Sequence, residues 1–265
     1  MKTLDDLTNA DLRGVRAVLT DIDDTLTHHG QLPAVAYAAM EQLQQSGIAV
    51  IPITGRPAGW CDLIARLWPV EAIVGENGAF YFRYDRKLKK MQRVYAQDAT
   101  TRAENSKRLT VLAEQVLYKF PGTALASDQA YREVDVAIDF CEDVAPLSLA
   151  EAEAIAAMFQ RAGAEAKVSS IHVNAWFGSH DKLSMSLTLL AALFGWDADE
   201  ARRSVAYCGD SPNDGPMFGF FPLGIGVANI KPFLPMMAEK PAYMTKAEGG
   251  LGFSVFTQKL LALRH

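Results

Sequence analysis

Asp21 and Asp23, in the run Asp21-Ile22-Asp23-Asp24-Thr25-Leu26-Thr27, stand two residues apart where the apolar stretch Ala17 to Ile22 ends. In extended chain that spacing projects both side chains to one side, and two crowded carboxylates cost free energy unless a cation or a shared proton relieves them. A second acidic run, Asp210-Ser211-Pro212-Asn213-Asp214, follows the apolar residues Val205 to Cys208, with Gly209 allowing a tight turn. If the two apolar runs are neighbouring strands, Asp21 and Asp210 converge, with Asp214 a third candidate. Their donors are all oxygen, which suits a hard cation that keeps some of its water, magnesium rather than zinc. Each run alone also reads as a turn or a helix cap. Two acidic strand ends in one chain favour the chemical reading.

Two further pieces supply positive or hydrogen-bonding groups. Thr54-Gly55-Arg56 closes the apolar run Ile48 to Ile53, where a hydroxyl and unpaired N–H groups at a helix start can hold a phosphate. Lys182 opens a helical segment, and a lysine at a helix N-terminus opposes the helix dipole, so it needs a reason to be there. Balancing a phosphate and the crowded carboxylates is such a reason. Arg132, His172, Asn174 and Trp176 are candidates for contact with a sugar, which favours aromatic and hydrogen-bonding surfaces, Trp176 fitting a packing role better. His28 and His29, which follow the first acidic run, could touch a ligand but fit a solvated loop role better; His180 reads as a helix-start residue, and Met236-Met237 and Phe220-Phe221 as core or subunit contact.

The elements that must position these groups follow from the hydrophobic pattern. Ala17 to Ile22 is a buried strand, Pro33 to Gln45 a helix with Gly47 as its stop, Ile48 to Ile53 a strand, Gly59 to Trp68 a helix and Ala72 to Val74 a third strand. The alternation returns with helix Asp181 to Phe194, strands Ser204 to Cys208 and Leu223 to Val227, and helix Leu251 to Leu263. Such alternation predicts an α/β fold with a doubly wound parallel sheet, a Rossmann-like core, whose ligands collect at the carboxyl ends of the strands. Between the halves, Phe80 to Tyr84 and Val134 to Phe140 alternate like antiparallel strands. The helix Thr101 to Lys119 precedes the second of these, and the helix Ser148 to Ala162 and the strand-like Lys167 to Val173 follow it. We read that stretch as a small inserted α+β domain; the plainer reading is an irregular extension of the same sheet.

With 265 residues, 49% of them hydrophobic, the chain can bury a full core. Its net charge of -5 and mixed charge placement give no basic stripe, so no nucleic-acid partner is expected. No run approaches the ~18 apolar residues of a membrane span, and Met1 to Arg13 carries Asp5, Asp6 and Asp11, unlike a signal peptide. Cys61, Cys141 and Cys208 suit neither a disulfide framework nor zinc spacing, which makes a reducing cytoplasm the expected location.

Taken in order, Asp21-Ile22-Asp23-Asp24-Thr25, Thr54-Gly55-Arg56, Lys182 and Gly209-Asp210-Ser211-Pro212-Asn213-Asp214 resemble the four motifs of the haloacid dehalogenase superfamily of phosphotransferases. Asp24 stands where many relatives have Gly. The run Gly75-Glu76-Asn77-Gly78-Ala79, followed by an insert before Lys182, is similar to the branch whose cap lies between the second and third motifs. That branch includes Cof-type sugar phosphatases, sucrose-phosphate phosphatase, mannosyl-3-phosphoglycerate phosphatase and eukaryotic phosphomannomutase. On this resemblance residues 1–82 and 179–265 form the core and 83–178 the cap domain, with specificity residues between Phe82 and Gly178.

The resemblance implies that Asp21 is the nucleophile, forming an aspartyl-phosphate, and that Asp23 protonates the leaving alcohol and then activates water. Mg2+ would be held by the side chains of Asp21 and Asp210 and the backbone carbonyl of Asp23, with Asp214 supporting. Thr54, Gly55, Lys182 and Asn213 would bind the phosphoryl group. The implied activity is hydrolysis of a small phosphomonoester, a sugar phosphate or glycosylated phosphoglycerate, by a monomer or homodimer. A sugar phosphomutase and a non-catalytic binder of phosphorylated metabolites are the alternatives.

Overall fold

The computed structural model describes residues 1–169 and 171–263. The chain opens with β1 (Lys2–Thr3) and a short helix, α1 (Asn9–Leu12), then enters β2 (Ala17–Thr20), all four residues of which are buried. α2 (Ala34–Gln45) and α3 (Ala58–Leu67) each start directly after a proline, Pro33 and Pro57, at a position where a missing N–H costs nothing. Between them runs β3 (Ala49–Pro52), and after them β4 (Ile73–Gly75), β5 (Phe80–Asp85) and β6 (Lys90–Tyr95). α4 (Ala99–Lys119) is capped by Asp98, whose side chain accepts from Thr101 N at 2.9 Å. Next come β7 (Ala124–Leu125), β8 (Val136–Asp139), α5 (Leu149–Arg161), β9 (Glu165–Val168) and β10 (His172–Trp176). The chain closes with α6 (Lys182–Phe194), α7 (Ala198–Ser204), β11 (Val205–Gly209), α8 (Gly215–Phe220), β12 (Leu223–Gly226), β13 (Tyr243–Met244) and α9 (Gly249–Leu263).

Six strands form one parallel sheet in the order β1-β13-β12-β11-β2-β3. Successive residues of a strand feed opposite faces. Val18, Val50 and Cys208 join the apolar cluster with Met40, Phe253 and Phe256, while Leu19, Ile51 and Tyr207 join Met185, Leu189 and Phe221 on the other side. From β2 the chain winds outward through β3, and from β11 it winds the other way through β12 and β13. The sheet therefore reverses its order between β2 and β11, the place where an open parallel sheet leaves a crevice at its strand ends.

A second sheet, β7-β8-β10-β9, is antiparallel and has its own apolar cluster, built from Leu109, Val116, Ile138, Phe159 and Val173 among others. A third, β4-β5-β6, is also antiparallel, and Phe80, Phe82, Tyr84, Met91 and Tyr95 pack it against the cluster of the parallel sheet. The doubly wound α/β core with added α+β structure is thus present.

Three details correct the sequence reading. The third strand does not extend the parallel sheet by a ladder: β4 pairs with β5 and touches the main sheet through the Ile53–Val74 bridge. The single strand expected over Lys167 to Val173 is two, β9 and β10, paired antiparallel. The alternation carries through the turn because Ser169, which accepts from His172 N at 2.9 Å, closes it without a Gly or Pro. α7 also lies just before β11, where Asp197 caps it by accepting from Glu200 N at 2.8 Å. No helix among the described residues is long and apolar enough to cross a membrane.

Candidate active site

β2 and β11 are neighbours in register, Thr20 opposite Cys208, and Asp21 N donates to Cys208 O at 2.9 Å. The two acidic strand ends therefore emerge side by side. Asp21, Asp210 and Asp214 are all buried. Lys182, the first residue of α6, reaches between them: its Nζ donates to Asp21 Oδ1 at 2.7 Å and to Asp214 Oδ1 at 3.0 Å. Although burial works against its charge, these two carboxylates raise the Lys182 pKa above the ordinary ammonium value.

Asp214 is fully used. Besides Lys182 it accepts from the Tyr207 hydroxyl at 2.5 Å, from Asp210 N at 3.0 Å and from Ser211 N at 3.2 Å. It holds the loop that aims Asp210, whose own Oδ1 accepts from Thr25 Oγ1 at 2.9 Å. This packing admits no side chain at residue 209, where a Cβ would sit 2.5 Å from Asp214 Oδ2. Gly78, at φ +102°, likewise lets the loop after β4 lie against the Asp181 carbonyl and so seats the start of α6. In the sequence Tyr207 is one residue of a buried strand, and nothing in its spacing marks it as a partner of Asp214.

Desolvation pushes Asp21 up to about 8, against the pull of Lys182 and with help from Asp214 and Asp23; burial, Asp214 and Asp21 push Asp210 well above its usual range. One ammonium is too little positive charge for this many buried acids, and oxygen-only donors suit a hard cation. A divalent ion held by the Asp21 and Asp210 side chains and a main-chain carbonyl fits that shortage. Among the described residues no three His, Cys, Asp or Glu side chains form a ready ligand cluster. Asp23 explains part of this, because its carboxylate is turned onto Arg56.

Arg56 follows Thr54-Gly55 and reaches Asp23 through Nε at 3.0 and 3.1 Å and through Nη2 at 2.9 Å. The same guanidinium stands 3.0 Å from Glu142 and 3.6 Å from Asp128, both on the inserted segment. Asp139, at the end of β8, accepts from the N–H groups of Cys141, Glu142 and Asp143, which shapes the turn presenting Glu142. Glu142 also lies 2.9 Å from His172 Nε2, and His172 with Arg56 holds its carboxyl at about 2, well below the usual range.

The cavity over the strand ends is lined by Asp21, Asp23, Gly55, Asp210 and Asn213 from the core and by His172 and Asn174 from β10. Of the expected phosphate binders, Gly55 and Asn213 line it directly. Thr54 is fully buried with its hydroxyl accepting from Arg56 N at 3.0 Å, so it shapes the loop. Arg132 lies behind the wall, donating to the Gly55 carbonyl and to Asp135, both at 2.9 Å. Trp176 is buried, its Nε1 donating to His180 O at 3.2 Å and its ring stacked on His180. His28 and His29 do not line the cavity.

Glu76 is the other residue that the sequence did not single out as a partner. Its carboxylate accepts from Ala58 N, Glu133 N, Val134 N and Asp135 N at 2.7–3.0 Å, joining the start of α3 to the strand entering the inserted sheet. Burial and the Asp135 charge push its carboxyl upward; four donors that need an acceptor on both oxygens oppose them.

Residues 18–119 match the sequence model of the haloacid dehalogenase-like hydrolases. The whole fold agrees with that match. A HAD/COF-like hydrolase from Plasmodium vivax superposes with a TM-score of 0.69 at 16% identity, over 96% of this chain and 98% of that one. The fold is haloacid dehalogenase-like. A Thermoplasma acidophilum protein gives a TM-score of 0.68 at 16% identity, over 93% of this chain and 98% of that one. The sucrose-phosphatase of Synechocystis, solved with sucrose and phosphate, gives 0.64 at 14% identity, over 95% of this chain and 98% of that one. No curated protein sequence matches the chain significantly. At these identities the solved structures share the haloacid dehalogenase-like fold with this chain; the chemistry has to be argued from its own side chains.

Proposed function

We propose that this haloacid dehalogenase-like chain is a magnesium-dependent hydrolase of small phosphomonoesters. The observation that carries the reading is Lys182 Nζ between Asp21 and Asp214 at 2.7 and 3.0 Å, next to Asp210 at the end of the adjacent strand. Asp21 would attack phosphorus, the bond from phosphorus to the leaving oxygen would break, and Asp23 would give that oxygen its proton. Water would then attack the aspartyl-phosphate, losing a proton to Asp23 and releasing inorganic phosphate with Asp21 restored. Gly55 and Asn213 would position the phosphoryl oxygens and Lys182 would disperse their charge, which phosphoryl transfer needs more than it needs covalent chemistry. Mg2+, held by Asp21, Asp210 and the Asp23 carbonyl, would screen the repulsion between an anionic nucleophile and an anionic substrate. Asp214 would keep Lys182 and the 210 loop in place.

Within residues 83–178 the cap would be the four-stranded sheet with α4 and α5, covering the cavity, excluding water and reading the leaving group, while β6 packs with β5 on the core cluster. Cys61 and Cys208 are buried thiols, which supports a reducing compartment such as the cytoplasm. The experiment is release of inorganic phosphate from an aryl phosphate with and without magnesium. Asp21→Asn should lower turnover by roughly a thousandfold or more while the urea midpoint shows an intact fold. Unchanged turnover in that variant, or turnover insensitive to chelation, overturns the reading.

A further inference from the structure

The cavity wall facing the carboxylates is polar in a specific way. On β10 the residues Val173 and Ala175 enter the apolar cluster of the inserted sheet, so His172 and Asn174, both buried, lie on the opposite face, towards the site. Asn174 Nδ2 donates to Asp135 Oδ2 at 3.0 Å, and Asp135 is itself held by Arg132. That contact fixes the amide, because the flipped group would set its oxygen against a carboxylate. The atom of Asn174 left for a ligand is therefore Oδ1, an acceptor.

From the core side the same cavity is lined by Asn77, 6% exposed and held at φ 55°, whose Nδ2 is buried without a partner. An unpaired buried donor is destabilising, and a ligand oxygen would relieve it. An acceptor from the inserted sheet and a donor from the core, lining one cavity, match hydroxyl groups, which both give and take hydrogen bonds.

The cations at the site are meanwhile spoken for. Arg56 faces Asp23, Glu142 and Asp128; Lys182 faces Asp21 and Asp214; Arg132 faces Asp128 and Asp135. A leaving group carrying its own carboxylate would face Asp23 with no cation to spare, because Glu142, behind the lining, stands 3.0 Å from Arg56 and 2.9 Å from His172 Nε2, the two basic side chains that line the cavity, and unrelieved like charges repel.

We propose that Asn174 and Asn77 read a neutral, hydroxyl-bearing leaving group, and that Glu142 discriminates against phosphomonoesters whose leaving group carries a carboxylate. The inference rests on the phosphatase reading above. It makes the preferred substrate a polyol or sugar monophosphate and disfavours phosphorylated acids.

The test is a set of specificity constants with magnesium for glucose 6-phosphate, glycerol 3-phosphate, phosphoglycolate, 3-phosphoglycerate and p-nitrophenyl phosphate. The neutral polyol esters should exceed the acids by about tenfold or more. Glu142→Gln, at a partly exposed residue, should shrink that ratio at least about fivefold. Asn77→Gly, which keeps the left-handed backbone open, should lower the constant for the polyol esters about tenfold more than that for the aryl ester. Ratios within one variant cancel any general loss of activity. A wild type that prefers the acids, or ratios unmoved by Glu142→Gln and Asn77→Gly, overturns the proposal alone. No turnover of any ester, the aryl phosphate included, overturns the phosphatase reading and this inference with it.

Discussion

Arg56 of the core and Glu142 of the inserted segment meet at 3.0 Å, while the same guanidinium clasps Asp23 at 2.9–3.1 Å. One side chain thus ties the cover to the acid that the proposed chemistry uses. Beneath it the cavity offers about 30 Å³, room for a water and not for a sugar phosphate. On the proposed reading, an ester would enter only with the inserted sheet moved away from Arg56, and the sheet's return would restore the contact around it.

Arg56→Lys keeps the charge and loses the planar fork, so it cannot serve Asp23, Glu142 and Asp128 together. The expected outcome is a fall in kcat for an aryl phosphate of about 10–100-fold, with a smaller change in KM. Steady-state kinetics check this; a variant with wild-type kcat shows that the clasp does not position Asp23.

Glu76→Gln replaces a carboxylate whose two oxygens each accept two backbone N–H groups. Whichever way the amide turns, its NH2 faces two donors and leaves them unpaired. We expect a loss of about 2–4 kcal/mol, read from urea unfolding at neutral pH. A loss below 1 kcal/mol, in the sense of an ordinary surface change, shows that the four contacts are not a joint between α3 and the inserted sheet.

His180 gives a pH dependence with a definite sign. Burial lowers its pKa from 6.5 to about 4, and neither ring nitrogen has a hydrogen-bond partner. Between pH 6.5 and 4 the unfolded chain binds a proton that the folded chain does not, so this group's contribution to stability falls as pH falls through that window. His180→Phe retains a ring to stack on Trp176 and removes the titration. The wild type should lose about 2–3 kcal/mol more than the variant between pH 7 and pH 4, measured from paired urea curves. Parallel losses in the two proteins sink the assignment.

Gly78→Ala places a Cβ against the carbonyl of Asp181 at a positive φ. The clash falls on the start of α6, the segment that delivers Lys182 to Asp21. Destabilisation of about 2–5 kcal/mol is expected, together with a fall in turnover larger than Gly122→Ala produces. Gly122, also at positive φ, has only the Leu147 side chain within reach at 3.8 Å. Equal effects of the two substitutions show that backbone strain alone is responsible.

Much of the candidate site was legible because its residues break the local rules. Asp21 and Asp210 interrupt apolar strands, and Lys182 sits at the wrong end of a helix dipole; each anomaly needs a partner, and the structure makes them partners of one another or neighbours on adjacent strands. Tyr207 and Glu76 were missed for the opposite reason. A tyrosine in a buried strand and a glutamate in a turn break no local rule, and only their contacts with Asp214 and with the Glu133–Asp135 backbone give them a role. The β9–β10 turn was missed because Ser169 closes it with a side-chain hydrogen bond, leaving the apolar alternation unbroken in the sequence.

The sequence by itself determined the alternation of strands and helices, hence the parallel sheet and the acidic ends of β2 and β11, since hydrophobic period and turn chemistry are local properties. Tertiary structure alone decided which charge answers which: Lys182 pairs with Asp21 across 161 residues, and Arg56 with Glu142 across 86. Hydrogen bonds and ion pairs act over a few ångströms, and only the folded chain brings groups so distant in sequence that close.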